Sequence, residues 1–433
     1  MNESVEPVGV LRLRALYVSH NGMLENLGQS QVLPYLRGLA RRGVELDLLS
    51  YELPTANADE IDQLRRSLRD EGIRWTPLRR ARDPRLRTKV LESSHGVLRA
   101  FALALSRRPD IVHGRSYIPT AIGDMVAALV PRAKLLFDCR GMLGDEYVDA
   151  GYWTTDRFEY RLVKRYEQRV FRRAEGIVVL TETLRRIVRD RGWVGPRSTI
   201  EAIPCCVDMD RFRFDEAGRA ELRRELGLEE RLVCVYSGSL GGWYQEPELA
   251  RFAGLAKRAS KRPIAMLVLT HQDAEPLRAR LRGEGLTPAE IVVRKVAPGE
   301  MAKFLSAGDL ALSFIKPCFS KLGSSPTKVA EYLACGLPVA LNGGVGDQSD
   351  LAAETDACVV LPSLSDRELE AAVPRALRLA ERPIAARVET GRDVARRRFD
   401  LEQVGVARYE RVYRTLVEAR QAGRGRLEVV ARG

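Results

Sequence analysis

Cysteine is scarce and scattered in this chain. Seven residues, at positions 139, 205, 206, 234, 318, 335 and 358, make no CxxC pair and interleave with no histidines. That pattern excludes a disulfide framework and a zinc site and reads as reduced thiols in a cytosolic protein. The adjacent Cys205 and Cys206 read as small loop residues, not as a redox pair. Histidine is scarcer still, with four residues and no HxxxH or HExxH spacing, so no metal is expected. No stretch reaches the roughly eighteen uninterrupted apolar residues that cross a bilayer, and the first residues lack the basic region and apolar run of a secretory leader. A cytoplasmic location is the expectation. Acidic residues are in deficit, 58 against 70 Lys plus Arg, which leaves a net charge of +12. The surplus points to an anionic partner, either a phosphate-bearing substrate or an acidic lipid surface. Nucleic acid is not expected, because acidic and basic residues are interspersed and no nucleic-acid-binding signature occurs.

What is present is a repeating order of strand and helix, the pattern of an α/β protein with parallel sheets covered on both faces. The 433 residues suffice for two or three domains. Strands are expected at 13–19, 44–50, 73–76, 111–113, 134–138, 177–180 and 199–203 in a first unit. A second unit has them at 232–236, 264–270, 290–294, 310–313, 338–341 and 358–361. Helices are expected at 29–42 and 247–260, among others, and both units open with a strand and a Gly-containing turn. The boundaries read as an amino-terminal domain at 10–205, a carboxy-terminal domain at 206–400, and a closing helix at 401–420 that returns toward the first domain. Two Rossmann-like domains facing each other put both sets of strand carboxyl ends on one cleft.

The segment 324–347 is the richest. Pro326 reads as the first residue of a helix, with Ser324 and Ser325 ahead of it to cap the free N–H groups. Lys328 and Glu331, three positions apart, share a face near the positive end of that helix, where a diphosphate is favoured and a carboxylate can hold ribose hydroxyls. Gly336 ends the helix before a buried strand. Lys316, Lys321 and Lys328 could together form a cationic collar for a diphosphate leaving group.

In the first unit, Gly22 and Gly28 sit in a strand-to-helix turn where backbone N–H groups can approach a phosphate. Asp138 and Arg140 follow a buried-looking strand and are expected to point into the cleft, as is His113 at the end of another. With the structural alternatives of an Asp–Arg pair fixing a loop and a satisfied core histidine, these three are the candidate catalytic residues. The stretch 161–173 reads as a basic amphipathic helix with Leu162, Val163, Tyr166, Val170 and Phe171 on its apolar side, either a solvated face or a contact with an anionic membrane.

Three stretches carry a resemblance to a known family. Residues 16–40 look like the amino-terminal signature of bacterial polysaccharide-building glycosyltransferases. AlaIleProCysCysValAspMetAspArgPhe, at 202–212, resembles the family's IPNGVDxxRF linker, and ThrLysValAlaGluTyrLeuAlaCysGlyLeuProValAla, at 327–340, is similar to a motif ending in ExxAxGxPV. The chain thus resembles the retaining glycosyltransferases of family 4, with the two-domain GT-B fold, over nearly its whole length. The resemblance implies transfer of a sugar from a nucleoside-diphosphate sugar to a glycan, lipid-linked or small-molecule acceptor. It implies retention of configuration, with no obligatory metal and no cofactor beyond the donor itself. Glu331 matches the second glutamate of the family's Glu-x7-Glu motif and would bind the ribose. The first falls on Gly323, so the donor sugar would be held otherwise, by Ser324, Ser325 and backbone groups. The diphosphate is assigned to Lys328 and Lys316. Arg294 and Val296 lie in ArgLysValAlaProGlyGlu, which resembles the base-holding loop. A nucleotide-sugar epimerase of the same fold and a non-catalytic homologue are the alternatives.

Overall fold

A computed structural model of the chain describes residues 13–81 and 86–430. The first domain holds seven parallel strands: β1 (Arg14–Ser19), β2 (Glu45–Glu52), β3 (Ile73–Arg79), β4 (Ile111–Arg115), β5 (Lys134–Asp138), β6 (Gly176–Val179) and β7 (Thr199–Ala202). They lie in the order β3-β2-β1-β4-β5-β6-β7. Between them run α1 (Asn26–Gln31), α2 (Leu33–Arg41), α3 (Ala58–Asp70), α4 (Leu86–Arg107), α5 (Tyr117–Leu129), α6 (Leu143–Asp149), α7 (Phe158–Arg173) and α8 (Glu182–Asp190). Period-two alternation along β1 explains the layering. Ala15 and Tyr17 face α2 and α3, whereas Leu16 and Val18 face α4 and α5. The same second layer continues through Tyr117, Phe171 and Leu184 on α5, α7 and α8.

The second domain has six parallel strands: β8 (Leu232–Ser237), β9 (Ile264–Leu269), β10 (Ile291–Arg294), β11 (Leu310–Ser313), β12 (Val339–Asn342) and β13 (Cys358–Leu361). Their order is β10-β9-β8-β11-β12-β13. The helices around them are α9 (Glu216–Glu225), α10 (Glu246–Ala259), α11 (Glu275–Gly283), α12 (Met301–Ser306), α13 (Thr327–Ala334), α14 (Leu351–Glu354), α15 (Asp366–Ala380) and α16 (Ile384–Phe399). Every residue of β8 and β9 is buried, because a parallel strand covered on both faces is apolar throughout. In each sheet the strand order reverses once, between β1 and β4 and between β8 and β11. Ligands enter such folds at the carboxyl edge of that reversal.

Two local expectations are corrected. The helix expected over 29–42 is broken at Val32 (φ −123°, ψ −65°), because Pro34 occupies the start of α2 and cannot continue the α1 hydrogen-bond ladder. Pro326 is not the first residue of α13. It is the extended residue before it, at ψ 114°, and no side chain caps the helix.

The chain crosses between domains twice, and the crossings pair. Val207 N–H donates to Phe399 O (2.7 Å) and Leu401 N–H to Val207 O (3.0 Å). After a π-helical turn at Leu401–Val406, α17 (Ala407–Val430) lies on the first domain, where Tyr413 and Tyr409 join its core. The helical backbone therefore extends past residue 420, where the sequence pattern fades.

Near the paired crossings, side chains also clamp the two domains together. Asp347, after β12, accepts the backbone N–H groups of Glu182 (2.7 Å) and Thr183 (2.9 Å) and the Thr183 hydroxyl (2.8 Å). A carboxylate of one domain thereby caps the first turn of a helix in the other. Thr181 adds a bond to Leu322 O (2.8 Å), and the Asp149 carboxylate accepts Ser320 N–H (2.9 Å). Among the described residues, no helix is long and apolar enough to cross a membrane. Asp347→Ala leaves two first-turn N–H groups of α8 without their partner. It should cost about 1–2 kcal/mol in thermal or denaturant unfolding and enlarge the radius of gyration in solution scattering. An unchanged unfolding curve and scattering profile would refute the clamp.

Candidate functional site

At the carboxyl edge of the second sheet, by its reversal, a buried ammonium stands without a hydrogen-bond partner. The Tyr332 hydroxyl, on α13, accepts Ser237 N–H (2.7 Å) and faces the Ser237 hydroxyl (3.0 Å), so the helix is fastened to the end of β8. Asn342 ties the ends of β11 and β12, its amide exchanging two 2.9 Å hydrogen bonds with the Ile315 backbone. On this frame Lys328 is only 8% exposed, and its ammonium has no hydrogen-bond partner in the structure. It lies 4.2 Å from the ring centre of Tyr236 and 4.1 Å from that of Tyr244. The two aromatic faces recover part of the lost hydration.

Burial pushes the Lys328 pKa down to about 7, against the smaller upward pull of Glu331. Glu331, half-buried, is pushed up to about 7 by burial, against Arg211 and Lys328. Gly238, with φ +119°, is required beside this group. A Cβ there would stand 3.0 Å from the Lys328 ammonium. The result is a shielded cation above a strand end, beside an α13 N-terminus that no side chain caps. An anion entering here meets a donor that nothing else occupies.

The other expected donor-site residues are placed differently. Lys316 is exposed and its ammonium donates to Asp149 O across the cleft (2.9 Å), while Lys321 reaches Glu146 (3.3 Å) and covers the Trp243 ring. These lysines tether α6 to the second domain instead of forming a collar with Lys328. The Ser325 hydroxyl accepts Cys205 N–H (3.1 Å). Ser324 and Ser325 line a cavity of about 250 Å³ beside the domain crossings, shared with Gln348 and Arg408. Gly28 lies in the first domain, packed against the Gly22 and Met23 backbone. The N–H groups of that turn are already taken, Gly22 by Glu25 (2.6 Å) and Met23 by Glu52 (2.7 Å), so the turn has no free donors there for a phosphate. Arg294 is exposed, and Val296 is buried with its carbonyl 3.1 Å from the His271 ring. At Gly323, a Cβ would stand 2.8 Å from the Leu184 side chain, which fills the space a longer residue would enter.

The expectation that His113 and Asp138 open into the cleft is corrected. Both are 1% exposed. His113 Nδ1 is hydrogen-bonded to the Tyr413 hydroxyl (2.8 Å) and its ring lies 4.3 Å from that of Tyr17. Helix α17, arriving from the far end of the chain, is what covers them. His113 Nε2 stands 3.6 Å from Asp138 Oδ2, and Arg140 Nη1 3.5 Å from Oδ1. Burial opposes ionisation of Asp138, but Arg140, His113 and Arg115 outweigh it and hold the carboxyl well below its usual range. Burial lowers the His113 pKa despite the Asp138 charge, which keeps the ring neutral. Of the three, only Arg140 keeps measurable side-chain exposure, 12%. Tyr236, Tyr244 and Asp347 were not found from sequence, since no spacing rule links a strand-end tyrosine to a lysine ninety residues on.

Solved structures resemble this chain over almost its full length. Sucrose-phosphate synthase from Thermosynechococcus elongatus aligns at a TM-score of 0.66 and 17% identity, covering 94% of this chain and 100% of that one. The Anabaena protein HepE, in complex with UDP and glucose, aligns at 0.68 and 12% identity, covering 93% and 99%. WaaG, a glycosyltransferase involved in lipopolysaccharide biosynthesis, aligns at 0.63 and 15%, covering 92% and 99%. Facing parallel sheets and these likenesses define a two-domain GT-B fold. Residues 28–206 match the family model described as "Glycosyl transferase 4-like domain". No curated protein matches the chain by sequence search.

The Lys328 environment makes a signed prediction. Between pH 7 and its ordinary value of 10.5, the unfolded chain binds the lysine proton that the native state has released. Its contribution to stability therefore rises with pH across that window. Glu331 acts in the opposite direction between 4.5 and 7, where the native state holds the extra proton. Thermal unfolding from pH 7 to 10 should show wild type gaining on Lys328→Met. Parallel curves would contradict the burial assigned to this ammonium.

Proposed function

We propose that the protein is a glycosyltransferase that moves a sugar from a nucleoside-diphosphate sugar to a hydroxyl. The acceptor is a glycan, a lipid-linked sugar or a small molecule, and the setting is cell-surface polysaccharide synthesis at the cytoplasmic face of the membrane. The unpartnered Lys328 ammonium beside the uncapped start of α13 is the observation that carries this reading. As the glycosidic bond breaks, negative charge collects on the leaving diphosphate, and a pre-placed lysine and helix N–H dipoles stabilise that state more than the ground state. Lys328 serves the diphosphate without an obligatory metal, and Glu331 serves the ribose. The base lies toward Arg294 and Val296.

Retention of configuration belongs to the same reading. The departing phosphate itself takes the acceptor proton, which suits a site whose histidine and aspartate are buried. Arg140 is the first-domain group placed to meet a sugar or acceptor hydroxyl, with Asp138 and His113 positioning it. Gly323, with Leu184 against it, leaves the donor sugar to backbone groups and to Ser324 and Ser325. Domain closure at Asp347 excludes water and limits donor hydrolysis.

Titration with UDP, GDP, ADP and TDP should raise the melting temperature for one base. Lys328→Ala and Glu331→Ala should each lower that affinity at least about tenfold, a loss of one charge-assisted hydrogen bond. At pH 8 the same binding should take up a proton, measured by calorimetry in two buffers, and Lys328→Met should abolish the uptake. Unchanged stabilisation in both alanine variants sinks the site. Product formed from donor without any acceptor would identify an epimerase instead, and donor binding without turnover a non-catalytic protein.

A further inference from the structure

Seven of the twelve exposed large apolar side chains among the described residues lie on α4, α5 and α7, which cover one face of the first sheet. Such a concentration on one layer is not the scattered exposure of an ordinary surface. On α4, Leu98 (68%) and Leu105 (57%) stand two turns apart. On α5, Ile118, Met125 (52%) and Leu129 (65%) follow the same helical spacing. On α7, Phe158 (72%) and Leu162 (55%) do so.

The expected apolar side of α7 is thus divided. Val170 and Phe171 enter the core, while Leu162 faces out with Phe158. The outward side of α7 also carries Arg161, Arg165, Arg169, Arg172 and Arg173, all exposed, against one exposed acid, Glu159 in the first turn, since Glu167 points inward at 0%. Arg169 and Arg173 pair with Asp124 on α5, which sets α7 beside that helix. The layer therefore offers apolar side chains interleaved with arginines, while its buried side holds the helices on the sheet.

We infer that the outer face of α4, α5 and α7 docks on an anionic lipid bilayer. Charge complementarity favours lipid over a second copy of this chain, because a stripe of five arginines facing its own copy would repel. Phe158, Leu162, Met125 and Leu129 enter the headgroup boundary, and the arginines pair with lipid phosphates. The surface holds the first domain, and with it the Arg140 side of the cleft, against the membrane. Its purpose rests on the transfer reading, as the source of a lipid-linked acceptor, but the binding does not.

Co-sedimentation of the full chain with phosphatidylcholine vesicles, with and without about one-third phosphatidylglycerol, tests this. Wild type should bind the anionic vesicles, bind neutral ones far less, and release as salt rises. Arg161→Glu with Arg165→Glu should weaken binding at least about tenfold, at roughly a few-fold per charge lost near the surface. Met125→Ser with Leu129→Ser should weaken it several-fold on a helix that carries none of those arginines. Both variants should keep the wild-type melting temperature and its shift by nucleoside diphosphate. Absence of binding to anionic vesicles overturns the inference, and so does binding that neither variant weakens. A wild-type dimer that the Met125→Ser, Leu129→Ser variant dissociates would assign the face to a second copy and overturn it too. Vesicle binding without any nucleotide effect would sink the transfer reading alone.

Discussion

A single carboxylate sets the relation between the two domains. Parallel sheets covered on both faces leave only their strand ends for chemistry, so a two-domain protein of this kind works only when those ends are brought together. Asp347 does so by completing the first turn of a helix that belongs to the other domain. The same contact thus caps α8 and ties the domains across the cleft. The paired backbone at Val207 and Asp400 is a second tie between the domains.

Within that frame the domains divide the electrostatics. The second domain keeps a cation unsatisfied, with Lys328 boxed by two tyrosines and Gly238 leaving room for it. The first domain keeps its charges satisfied or hidden, with Glu52 filling the turn after β1 and α17 roofing His113. The first domain holds Arg140 against Asp138, with 12% of its side chain exposed, and turns an arginine-lined outer face to its surroundings.

Much of this was legible from the sequence. The thirteen strands of the described residues overlap the expected ones, and interior strands such as β8 and β9 are legible because strands buried on both faces must be apolar whatever their neighbours are. Lys328 and Glu331 were legible because helical spacing alone puts them on one face. The break at Val32 is not legible in the apolar pattern, which continues through it, and only Pro34 marks it. The burial of His113 and Asp138 was missed because Tyr413 reaches them across 300 positions of sequence. The division of α7 into a core side and an outward side was missed because amphipathic spacing cannot say which apolar residues find a partner.

What the sequence determined by itself is therefore local and periodic: strands, most helices, the glycine-containing turns that open each unit and the placing of a lysine and a glutamate on one helical face. These follow from backbone geometry and from the need to bury apolar surface, which act over a few residues. What only the tertiary structure decided is which charges remain without partners. That depends on side chains brought together from distant segments, such as Tyr236 and Tyr244 around Lys328, Asp347 on α8, and α17 over His113. Desolvation is a property of the enclosure, and no residue carries it alone.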